Sequence, residues 1–114
     1  MRKTRPVSWI KAARKSFLKF PDEAQSMILD ALTIAAEGSK SDLAKPLKGF
    51  GSGVFEVALP YRGDSYRCVY VLQIEDAIWV IHAFQKKSKT GIKTPSQDLE
   101  IIKSRLKRLK EELL

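Results

Sequence analysis

The chain has a single cysteine, Cys68, so it can form neither an internal disulfide nor an all-cysteine metal site. His82 is the only histidine and falls in a different expected strand from Cys68, which argues against a zinc centre. No apolar run approaches the roughly 18 residues that a membrane-spanning helix needs. In the first twenty residues basic side chains interrupt every apolar stretch, unlike the core of a secretory signal, so a cytoplasmic protein without a membrane partner is expected. Gly49, Gly51 and Gly53 precede an expected strand rather than a helix N-terminus, so a phosphate cradle of the usual kind is not supported. No nucleophile elbow marks a Ser-His-Asp arrangement. Neither a cofactor nor a metal ion is expected.

What is present is enough for one core. Hydrophobic residues make up 44% and aromatics 9% of 114 residues, which suits a single folded domain over 1–114 and not a disordered tail. Lys and Arg number 21 against 13 Asp and Glu, a net charge of +8. The charge is uneven: residues 1–20 hold seven bases and no acid, 21–85 are net −4, and 86–114 are net +5. Basic ends around an acidic middle make a bipolar surface if the ends meet, and such a surface captures polyanions. A set of solvated basic helices is the plainer alternative.

Periodicity divides the chain into elements. Residues 5–9 suit a short first strand. Ile10, Ala13, Phe17 and Phe20 mark one helical face over 10–20. Pro21 suits the first position of a second helix, with Asp22 and Glu23 in its first turn and a stop at Gly38. After a loop the period becomes two: Phe55, Val57 and Leu59 alternate, Arg62 to Asp64 form a turn, and strands follow over 66–74 and 77–84. The last of these is apolar on both faces and therefore belongs inside the sheet or under cover on both sides. Thr94, Pro95 and Gln97 fit a capping box. Beyond it Leu99, Ile102, Leu106, Leu109 and Leu113 form a stripe facing either the sheet or a partner. The class is α+β: two N-terminal helices, an antiparallel sheet of three to four strands and a C-terminal helix.

Two positions stand out chemically. Arg67 lies in an otherwise apolar strand, where a guanidinium keeps its charge and needs either a carboxylate such as Glu56 or a bound phosphate. His82 shares a strand side with Phe84 and Lys86. The chain then leaves the strand through Lys86, Lys87, Lys89 and Lys93 without an acid. The imidazole is either an acid or base near neutrality or a satisfied core group.

The runs KPLKG at 45–49, GVFEV at 53–57, YRCVY at 66–70, HAFQKK at 82–87 and Thr94-Pro95, in that order and spacing, resemble the RelE/HigB toxin superfamily, in particular its phage-derived HigB-like branch. The resemblance extends from the Trp9 segment to the last helix. It implies a small RelE-like fold with a twisted sheet, and a toxin of a type II toxin–antitoxin pair. Most such toxins cleave mRNA in the ribosomal A site. The implied partners are mRNA, the ribosome and a helix-turn-helix, HigA-like antitoxin, through which alone operator DNA is bound. Arg67 matches the strand arginine that contacts the scissile phosphate. His82, Lys86 and Lys87 fall where relatives place acid/base or phosphate residues, and these four form the expected catalytic set. Lys48 matches a basic position near the RNA. With Lys45, Arg62, Lys89 and Lys93 it makes up the expected RNA contacts. Lys45 stands where some relatives carry a glutamate base, so the catalytic set does not transfer whole.

The chemistry this implies is attack of the RNA 2′-hydroxyl on its own 3′-phosphate without a metal, which needs a base, an acid and cations around the phosphate. Two other classes remain in view: a non-catalytic nucleic-acid-binding regulator, and a phage-derived interaction protein using the 99–113 stripe.

Overall fold

A computed structural model describes residues 4–74, 76–87 and 93–113. The element order is β1 (Val7–Trp9), α1 (Lys11–Phe17), α2 (Asp22–Ala36), β2 (Ala44–Pro46), β3 (Val54–Tyr61), β4 (Asp64–Ile74), β5 (Ala77–Lys86) and α3 (Ser96–Leu113). This is the expected α+β arrangement. The strands form one sheet in the order β1-β5-β4-β3-β2. Its β2–β3–β4–β5 portion is an antiparallel meander, and β1 adds to β5 in parallel.

Five strands exceed the three to four expected. The extra one is β2, whose three residues pair with β3 at the sheet edge, Lys45 opposite Glu56. Three residues are too few to show a period, and Pro46 is tolerated because an edge strand leaves one side unpaired.

Helices cover both faces. Phe17, Phe20, Ile28 and Leu32 from the α1–α2 side pack on Val57, Tyr66, Cys68, Tyr70, Ile78 and Val80. A ring series from Trp9 through Phe17 and Phe20 to Tyr66, with centroids 4.8, 5.7 and 4.9 Å apart, ties β1 to β4 across this core. Burial pushes the Tyr70 phenol up to about 12. It raises the Cys68 thiol further still, leaving that residue inert. On the opposite face Ile102, Leu106 and Leu109 of α3 pack on Val54, Val69, Val71 and Ile81. The leucine stripe therefore faces the sheet.

Several boundaries move. α1 ends at Phe17, and Phe20 reaches the core from the turn that follows. Pro21 precedes α2 instead of opening it, and its carbonyl accepts the Gln25 N–H at 2.9 Å. At α3 the Leu99 N–H bonds to the Pro95 carbonyl at 3.0 Å, so Pro95 stands at the cap. The Thr94 hydroxyl, expected there, instead donates to Glu56 Oε2 at 2.8 Å. A buried carboxylate is the stronger acceptor, and tertiary contact overrides the local motif.

The β3–β4 turn has two residues, Arg62 and Gly63, with φ of 51° and 86°. Two positive φ angles in a two-residue hairpin loop are the pattern of a type I′ turn, which matches strand twist but strains a side chain such as arginine. Arg62→Asn is expected to raise stability by about 0.5–1 kcal/mol, read as a higher midpoint in thermal unfolding.

Candidate nucleic-acid interface

Strand register sets the site. Cross-strand partners share a face, so Lys45, Glu56, Val69 and His82 form one row across the α3 side of the sheet. Ala58, Arg67 and Phe84 form the next, and Pro60, Ser65 and Lys86 the third. A bulge in β5 makes this possible. Val69 pairs with His82 and Tyr70 with Val80, leaving Ile81 as the extra residue. Without it, alternation from Ile78 and Val80 would turn His82 toward α1 and α2.

Arg67 is 4% exposed and Glu56 2%. Arg67 Nη1 donates to Glu56 Oε1 at 3.2 Å, and Nε donates to Ser65 Oγ at 3.1 Å. Glu56 thus accepts from Arg67 with one oxygen and from Thr94 with the other. Of the two partners weighed for Arg67, the carboxylate is in place. The pair fixes Arg67 in the lining of a cleft of about 510 Å³, a lining that also includes Lys45, Ser65, Asp42 and Asp64.

His82 is 6% exposed. Its Nε2 lies 2.7 Å from Asp98 Oδ1, its Nδ1 lies 3.0 Å from Arg105 Nη1, and its ring stacks on Phe84 at 5.1 Å. Arg105 Nη1 also donates to the Ile81 carbonyl at 3.0 Å. An arginine N–H can only donate, so Nδ1 accepts and Nε2–H donates to Asp98, the neutral tautomer. Burial draws the imidazole below its ordinary 6.5, Arg105 adds to that, and Asp98 opposes it. The arrangement is that of a satisfied core histidine clasping α3.

The expected site residues are thus dispersed. Arg67 and Lys45 line one cleft. Lys86 sits in the row beyond, with its Nζ donating to the Lys93 carbonyl at 2.6 Å. Lys48, Lys87 and Lys93 are exposed and outside the cleft lining. Arg62 lies over the Tyr61 ring at 5.2 Å. Lys89 falls outside the described residues. Among the described residues no cluster of His, Cys, Asp and Glu could hold a metal ion, and no helix is long and apolar enough to cross a membrane. Sequence reasoning overlooked Asp42 and Asp64 in the cleft and Asp98 and Arg105 on α3. The latter two lie seven residues apart, two helical turns on one face, and that spacing was the available signal.

Residues 15–107 match the family described as Phage derived protein Gp49-like. The chain belongs to that family. No curated protein matches its sequence. This Gp49-like chain is similar in fold to a double arginine-to-alanine mutant of Escherichia coli toxin RelE in the free state. The TM-score is 0.64 and the identity 17%, over 92% of this chain and 97% of that one. It is also similar to a chain of the toxin–antitoxin complex RelBE2 from Mycobacterium tuberculosis, with a TM-score of 0.52 and 19% identity over 77% of this chain and 98% of that one. The RelE-like fold implied by the short sequence runs is the fold found.

Proposed function

We propose that this Gp49-like chain is the toxin of a type II toxin–antitoxin pair and cleaves mRNA on the ribosome. The observation that carries the reading is Arg67, a guanidinium held by Glu56 and Ser65 in the lining of a cleft that also presents Lys45, Asp42 and Asp64, on a sheet of RelE-like fold. The 2′-hydroxyl attacks the adjacent phosphorus and the P–O5′ bond breaks, leaving a 2′,3′-cyclic phosphate and a 5′-hydroxyl. Arg67 and Lys45 hold the phosphate, and Lys86 and Lys87 border the path of the strand. Lys48, Arg62, Lys89 and Lys93 steer the RNA backbone. Asp42 and Asp64 are the carboxylates within the cleft, and Asp64 is held by Gln85 Nε2 at 2.7 Å. Asp42 is therefore assigned as base, taking the 2′-hydroxyl proton, and solvent water supplies the proton to the departing 5′-oxygen. His82 acts through α3, not on the RNA.

The partner is an antitoxin, of the helix-turn-helix type if the chain lies in the HigB-like branch, and operator DNA is reached through it. The site of action is the cytoplasm. Induction in a bacterial host, with mRNA 5′ ends mapped by primer extension, tests the reading. New ends should appear, disappear when translation is blocked, and fall about tenfold with Lys45→Ala, the loss of one phosphate contact. Growth arrest with intact mRNA would retain a toxin and remove the nuclease. Neither arrest nor cleavage would leave Arg67–Glu56 a structural pair.

A further inference from the structure

Trp79 Nε1 is the one buried side-chain polar atom without a hydrogen-bond partner among the described residues. Its ring stands on the α3 face of the sheet, paired with Val71. There it walls a second cleft, of about 470 Å³, together with Ile10, Leu109 and Leu113. Arg105 and Arg108 add two guanidiniums to that lining against one carboxylate, Glu112. None of these residues lines the Arg67 cleft. Arg105 is tied on one side to His82 and the Ile81 carbonyl, which fixes its position. Arg108 is exposed.

A buried donor is almost always satisfied in a settled core. Here the unsatisfied one belongs to an amphipathic ring beside an apolar recess with a cationic rim, the anatomy of a pocket that receives an anchor side chain. We propose that this cleft docks a short acidic, amphipathic segment of a partner polypeptide. Apolar side chains of the segment enter against Trp79, Leu109 and Leu113. Its carboxylates meet Arg105 and Arg108. One of its oxygens accepts from Trp79 Nε1 once the side chains sealing that atom move aside. Charge and shape together choose this occupant: a nucleic acid backbone offers no aliphatic anchor for the walls, and a wholly apolar segment leaves the guanidiniums without counter-charge. Resting on the toxin reading above, the partner is the antitoxin. Because the two clefts share no residue, docking and cleavage are separable.

The test titrates the ¹⁵N-labelled full chain with a blocked synthetic peptide of Leu-Leu-Glu-Glu repeats. The two tryptophans of the chain, Trp9 and Trp79, each report through an indole N–H signal. The Trp79 signal should move progressively downfield while that of Trp9 holds still. Arg108→Glu should weaken binding by about tenfold or more, without altering RNA cleavage. A Leu-Leu-Lys-Lys peptide should not bind. Three results would overturn the proposal: no Trp79 shift up to about 1 mM peptide, an equal response to the lysine peptide, or a Trp79 shift that follows protein concentration alone, which would make a second copy the occupant. Peptide binding in a chain that cleaves no RNA would uphold the docking cleft and retire the nuclease. Cleavage without peptide binding would do the reverse.

Discussion

Arg67→Ala is expected to lose RNA cleavage by about 10²–10³-fold, the usual cost of removing one preorganised donor to a developing phosphate or oxyanion charge. The same change should destabilise the fold, because it leaves the Glu56 carboxylate, 3% exposed along its side chain, without its partner at 3.2 Å. Breaking a buried pair on one side typically costs about 3–5 kcal/mol. Loss of cleavage alone would therefore be ambiguous between chemistry and unfolding. The double variant Glu56→Gln with Arg67→Met separates them, since it removes both charges and keeps most of the volume. It should recover most of the stability in urea titrations while cleavage stays lost. A folded double variant that still cuts mRNA would dismiss Arg67 as the phosphate contact. Glu56→Gln alone should keep the Thr94 contact through the amide oxygen and loosen the guanidinium, which places its damage between the two.

The second large effect concerns His82. The neutral imidazole satisfies both neighbours at once, donating to Asp98 at 2.7 Å and accepting from Arg105 at 3.0 Å. Alanine in its place takes away the Asp98 donor and one of the two acceptors of Arg105, which keeps the Ile81 carbonyl. Both neighbours are half-buried, so the cost is roughly 0.5–1.5 kcal/mol for each hydrogen bond lost. Protonation is a milder form of the same injury, because a second N–H then faces the Arg105 donor. The folded protein holds the imidazole below its ordinary 6.5, so the unfolded chain takes up the proton first as pH drops. The His82 contribution is accordingly complete above about pH 6.5 and is lost progressively as pH falls below it. Unfolding midpoints of wild type and His82→Ala, followed from neutral to mildly acidic pH, should converge. Cleavage by His82→Ala, assayed where the variant is fully folded, should stay within a few-fold of wild type. A loss of about 10²–10⁴-fold in folded protein would instead put the imidazole on the RNA as acid or base.

The element types were legible because each rests on local or periodic signals. The stripe from Leu99 to Leu113 steps by three and four, and α3 follows it from Ser96 to Leu113. Residues 77–84 carry apolar side chains on both faces, and β5 lies inside the sheet with helices on both sides. Arg67 declared itself as a charge in an apolar strand, and its burial with Glu56 follows from the cost of leaving it alone.

Other features depended on contacts distant in the chain. The Thr94 motif pointed to a helix cap, but Glu56, 38 residues away, offered a better acceptor. β2 exists only because β3 presents an edge to three residues of loop. The cleft of Arg67, Lys45 and Asp42 required the β2–β3–β4 register, which no local pattern encodes. The position of His82 turned on one inserted residue: the Ile81 bulge reverses the side to which His82 points. The sequence by itself determined how many helices form, which residues are apolar enough to be buried, and that Arg67 needs a partner, because these follow from periodicity and desolvation. Only the tertiary structure decided which charges meet, since a shift of one residue in strand register moves a side chain from one layer of the molecule to the other.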